Sequence, residues 1–190
     1  MDRIRLRSIQ SSEFRDPRRF LVEIRKLETR VAVSDLSSRA KQLRTKSLKE
    51  WRETRDAALF CYGMGQRIGQ PVFLSRGESQ DYDFIATWVV QGTQHFAPVQ
   101  LKEVVPADLN ATASIESVIR SLTKYVDSAD LTVAIHLNQQ VRFDPRMVVV
   151  PALPIAALWI FGSTSPDQSE WGLWGNFLEE PEGTRFAYPV

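Results

Sequence analysis

Three residues near the middle of the chain, Asp83, Gln100 and Lys102, carry side chains of the kinds that cut phosphodiesters: a carboxylate, an amide oxygen and an ammonium. Mg²⁺ prefers oxygen ligands and keeps several of its waters, so one or two protein oxygens plus a substrate phosphate suffice to hold it. Such an ion polarises the phosphate and lowers the pKa of a bound water. A neighbouring lysine can orient that water or offset charge growing on phosphorus. Gln100 and Lys102 stand two apart, so in a strand both face one way, while Val99, Leu101 and Glu103 face the other.

The flanking sequence supplies elements that would position these groups. From Ser47 an apolar pattern of helical period runs to about Arg67, with Leu48, Trp51, Ala58, Leu59 and Tyr62 toward a core and Gly69 as its stop. Ser47 with Glu50 three residues on predicts a capping box. The period then becomes strand-like at 71–75, 82–90 and 96–105, with turns at 76–81 and Gly92-Thr93. Asp83 falls at the start of the second strand, and Gln100 and Lys102 fall in the third. Ser114, with Ser117 facing back, caps a helix whose stripe is Ile115, Val118, Ile119, Leu122 and Tyr125; 127–130 closes it, and Leu131 to Leu137 is a further strand. Beyond Arg146, strands are expected at 147–150, 157–161, 171–178 and 186–188.

The order of elements, with Asp83 in the phrase Gln80-Asp81-Tyr82-Asp83-Phe84 followed by Gln100-Leu101-Lys102, resembles the PD-(D/E)xK, or restriction-endonuclease-like, nuclease superfamily over roughly residues 47–138. The resemblance implies an α/β fold: an αβββαβ core with a mixed central sheet flanked by helices, in a domain over 47–190. Residues 1–46, with no glycine and with Phe20, Leu21, Ile24 and Leu27 at helical spacing among many charges, read by themselves as a basic helical N-terminal extension. The resemblance also implies a Mg²⁺- or Mn²⁺-dependent endonuclease that hydrolyses DNA phosphodiesters. Asp83 takes the place of the metal-binding aspartate, Gln100 that of the second acid, and Lys102 that of the lysine. The superfamily often adds a glutamate from the first helix, for which Glu53 fits better than Glu50; Glu78, in the turn before Asp83, is a second candidate. Two departures stand out: Tyr82 precedes Asp83 in place of proline, and Gln100 removes a negative charge beside the ion. The alternative is a catalytically inactive nucleic-acid-binding or assembly module on the same fold.

Composition narrows the setting. With 190 residues, 43% hydrophobic and 25% charged, the chain can bury a core and lacks the bias of disordered sequences. No apolar run approaches the roughly 20 residues a membrane helix needs. One cysteine and two histidines leave no internal disulfide and no usual zinc spacing, so a reduced, cytoplasmic compartment is expected. Residues 1–55 hold 16 Lys/Arg against 8 Asp/Glu, and the rest of the chain is acidic. Two readings stay open: a basic arm laid along a phosphate backbone, or one paired with the acidic body or a partner subunit. Trp159, Trp171 and Trp174 read as core or as a homodimer surface. Cys61 reads as an inert core thiol and His95 as solvent-exposed. His136 reads as a structural histidine or as one sharing a groove with Lys102.

Overall fold

The computed structural model describes residues 12–41, 43–76, 81–126, 128–139 and 141–190. Seven strands form one mixed sheet in chain order: β1 (Phe73–Arg76), β2 (Phe84–Val90), β3 (Thr93–Val104), β4 (Ser128–Leu137), β5 (Ile155–Ser163), β6 (Glu170–Gly175) and β7 (Glu182–Ala187). β3, β4 and β5 are parallel to one another, and the remaining neighbours are antiparallel. Around them lie α1 (Pro17–Ala32), the short α2 (Ser38–Lys41), α3 (Lys49–Ile68) and α4 (Ile115–Leu122). From α3 to β4 the order is helix, three strands, helix, strand. The fold is α/β.

Each sheet face is covered, and the strand alternation sorts residues between two cores. Val99, Ala134 and Phe161 pack with Leu59 and Phe60 of α3 and with Leu21 and Ile24 of α1. Val104, Val133, Ile135 and Ile160 pack with Ile119 and Leu122 of α4. Burial on both faces explains why Leu131 to Leu137 reads as an almost unbroken apolar run. The β2–β3 hairpin closes through two residues, Gln91 and Gly92, with φ of 48° and 78°. That is a two-residue turn whose positive φ values match strand twist, and glycine makes the second easy.

α1 is amphipathic. Asp16 caps it by accepting from Arg18 N at 2.8 Å, Pro17 starts it, and its inner face is buried. The segment before residue 47 thus reaches the main core, where Leu43 also packs at 3% exposure. Several of its cations are tied to the rest of the chain. Arg44 meets Glu103 at 2.5 Å, Arg25 donates to the Asp167 carbonyl at 2.7 Å, and Arg18 donates to the Val190 carbonyl at 3.4 Å.

Four sequence expectations need correcting. The capping box at Ser47 does not form: a 3-10 turn over Lys46–Leu48 precedes α3, which starts without a side-chain cap, and Glu50 pairs with Arg76 instead. Trp51 does not enter the core but is 47% exposed, stacked on Phe20. Residues 147–150 form no strand, because Pro145 opens a 3-10 turn there, capped by Asp144. β4 begins at Ser128, three residues earlier than the apolar run indicates, since its start pairs with Ile155 across an irregularity in the ladder. Other expectations stand as read: Gly69 ends α3 with φ 68°, and Ser114 and Ser117 form a reciprocal capping box. Trp171 and Trp159 are core residues, and Trp174 packs on Phe143. Cys61 is fully buried, and burial pushes its thiol far up. No helix among the described residues is long and apolar enough to cross a membrane.

Candidate functional site

The β2–β3 register sets the site. Phe84 lies opposite Val99, so Asp83, one step before β2, comes alongside Gln100. Its backbone N–H donates to the Val99 carbonyl at 2.9 Å. Its carboxylate Oδ2 accepts from Gln100 Nε2 at 2.5 Å and from the Leu101 N–H at 2.6 Å. The side chain therefore carries the ladder one rung past the end of the strand. Asp83 is exposed and Gln100 half-buried, so both can be reached from outside.

Lys102 shares the strand face of Gln100, as period two requires. That face belongs to the α4 side, because Val104 joins the α4 core while Val99 and Leu101 pack on the α3 side. The Lys102 ammonium stands 5.8 Å from the centre of the Tyr125 ring, a cation–π contact just beyond α4. No ion pair within 4.0 Å joins it to Asp83 among the described residues. Asp83 and Gln100 are thus in direct contact, and Lys102 is on their face but turned to Tyr125.

The two glutamates stand apart from that contact. Glu53, on α3, meets Lys49 at 3.4 Å and Arg76 at 3.9 Å. Arg76 is the β1 residue opposite Phe84, so Glu53 faces the same end of β2 with a guanidinium as its partner. Glu78 lies outside the described residues. Among those residues no group of three or more His, Cys, Asp or Glu is arranged to hold a metal ion. Asp83 Oδ1 and Gln100 Oε1 accept no hydrogen bond among the described residues. Two such oxygens are within what suits Mg²⁺ and fewer than Ca²⁺ or Zn²⁺ take.

His136 does not share the face of Lys102. The β3–β4 register pairs Lys102 with Ile135 and Glu103 with His136, which puts the imidazole on the opposite side of the sheet. There it stacks on Phe161 at 4.9 Å, with Nδ1 3.2 Å from Asp56 Oδ2. The alignment falls short of a hydrogen bond, which leaves Nδ1 buried without one, and the other Asp56 oxygen, Oδ1, is also buried without a hydrogen bond. Burial drives the Asp56 carboxyl up, but the charge of His136, with Arg55 and Arg52 behind it, outweighs that and holds it below its usual range. The sequence does place Asp56 three residues before Leu59 on the apolar stripe of α3, an available signal for a buried acid that helix periodicity alone passes over. His95 is exposed and stacked on Trp88.

No family model, curated protein or solved structure matches the chain.

Proposed function

We propose that this chain is a metal-dependent nuclease hydrolysing DNA phosphodiester bonds, built on a restriction-endonuclease-like αβββαβ core from α3 to β4. The observation that carries the reading is the direct contact of the Asp83 carboxylate with the Gln100 amide, with Lys102 next on the same strand face. Asp83 and Gln100 would hold a Mg²⁺ or Mn²⁺ ion through the oxygens Oδ1 and Oε1. When bound, the ion supplies a polarised phosphoryl oxygen and a more acidic water. Asp83 is kept in place for that task by the Leu101 N–H, which fixes Oδ2 whatever the amide does. Lys102, swinging from Tyr125, donates to the attacking water or to a phosphoryl oxygen. Glu53 adds a carboxylate only by leaving Arg76, and Glu78 is the other candidate to complete the shell.

One carboxylate and one amide would bind a divalent ion weakly, so Asp83 and Gln100 would need a DNA phosphate oxygen to help hold it, and metal affinity would rise with DNA. A second reading, a nucleic-acid-binding module without turnover, draws on the same contact: Oδ2 is already satisfied by two N–H donors. The test is incubation of supercoiled, linear duplex and single-stranded DNA with Mg²⁺, Mn²⁺ or a chelator. Metal-dependent cleavage of any form, lost in Lys102→Ala, supports the nuclease. Salt-sensitive binding that ignores metal and never cuts supports the module.

A further inference from the structure

A second site, independent of the nuclease reading, lies where the three parallel strands end. Residues following β3, β4 and β5 (Pro106, Asn138 and Pro166 among them) line a cavity of about 520 Å³. Crevices outside the carboxyl ends of parallel strands are recurrent ligand sites. α1, α2, α3 and the residues between the last two wall this cavity with Arg25, Lys41, Arg44, Arg52 and Arg55. Four of these are held in place: Arg25 by the Asp167 carbonyl, Lys41 by the Ala32 carbonyl at 2.9 Å, Arg44 by Glu103, and Arg55 by Gln168 and Glu28. Arg52 is half-buried with no ion pair or hydrogen bond among the described residues.

The cavity also contains unmet polar atoms. Asp56 and His136 line it at 7% and 4% exposure. Asp56 Oδ1 is a buried acceptor without a donor, and Arg55 Nε, 3.3 Å from Glu28 Oε1, is buried without a hydrogen bond. Each such atom costs free energy until something supplies its partner. The complementary ligand offers anionic oxygens to Arg52 and Arg55 and one proton to Asp56. Carboxylates at Glu28, Asp56 and Asp167, and Glu103 behind Arg44, make a bare oxyanion a poor guest on charge alone. They suit one that can also donate.

We infer that this cavity binds inorganic hydrogen phosphate, with Arg52 and Arg55 on its charged oxygens and Asp56 Oδ1 accepting its O–H. Sulfate has the same shape without the O–H, and Asp56 rejects it as an unpaired buried acceptor facing an anion. A terminal phosphate monoester is mostly dianionic at pH 7 and lacks the O–H as well.

Calorimetric titration of the full chain at neutral pH tests this with sodium phosphate, sodium sulfate and a 5′-phosphorylated oligonucleotide. Saturable phosphate binding is expected, with sulfate at least tenfold weaker and Arg52→Gln lowering phosphate affinity at least tenfold. Asp56→Asn should narrow the gap between phosphate and sulfate. Should that variant fail to fold, the sulfate comparison and Arg52→Gln, on the half-buried rim, still decide. Equal binding of the two anions, an unchanged Arg52→Gln, or no saturation at millimolar phosphate overturns the assignment. An oligonucleotide end that displaces phosphate with higher affinity overturns the O–H requirement and makes the ligand a nucleic-acid terminus.

Discussion

Asp83 divides its work between its two oxygens. Oδ2 is tied by a backbone N–H and an amide, and this restraint fixes the direction of the carboxylate before any ligand arrives. Gln100 has the shape of a glutamate and lacks its charge. Gln100→Glu should therefore tighten Mn²⁺ binding at least tenfold, while leaving the two acids to repel each other in metal-free protein and lower its melting temperature. A different carboxylate shows what full hydrogen bonding does. Asp167 accepts from the hydroxyls of Ser165 and Ser169 and from the Ser169 N–H, and this holds its carboxyl at about 2. Its folded value lies below the unfolded one of about 3.9. The stability it contributes is thus present above pH 4 and lost as pH falls toward 2. A carboxyl NMR titration should place its midpoint near 2, and a midpoint near 4 would mean the Ser165–Ser169 turn is open in solution.

At the scale of elements, the candidate site was legible because one simple period and one apolar run sufficed. A period of two puts Gln100 and Lys102 on one face, and the apolar run starting at Phe84 leaves Asp83 one step before β2, alongside Gln100. What escaped the sequence needed long-range pairing. The start of α3 is set by the turn over Lys46–Leu48 and by the Glu50–Arg76 pair, 26 residues apart, so the local signal at Ser47 was outcompeted. His136 and Lys102 look alike along their strands, and only the β3–β4 register sends them to opposite faces. The helix ends, by contrast, are local and testable. Gly69 sits at φ 68° with open space where a Cβ would be. Gly69→Ala should then cost about 1 kcal/mol through backbone strain alone, measured by urea denaturation. Ser114→Ala removes the reciprocal cap of α4 and should also cost about 1 kcal/mol.

On the scale of the whole molecule, the uneven charge along the chain is partly balanced inside it. Arg44 reaches Glu103, 59 residues away, so this basic group binds an acidic residue of the other part of the chain. α1 is anchored by Leu21 and Ile24, at 0% and 2% exposure, in the core shared with α3 and the sheet. Leu21→Ala should destabilise the protein by about 2–5 kcal/mol in one cooperative transition. A separate low-stability transition for α1 would mean that its packing is weak. The cation-walled cavity and the Asp83 contact occupy opposite faces of β3, and their ligands can be titrated independently.

Titration of Mn²⁺ followed by electron paramagnetic resonance, with and without duplex DNA, tests the proposed metal site at Asp83 and Gln100 most directly. Wild-type protein should bind Mn²⁺ weakly alone and more tightly with DNA, Asp83→Ala should not bind it in either case, and Gln100→Glu should bind it without DNA. An Asp83→Ala protein that takes up Mn²⁺ as the wild type does, or a wild type that takes up none even with DNA present, would contradict the account.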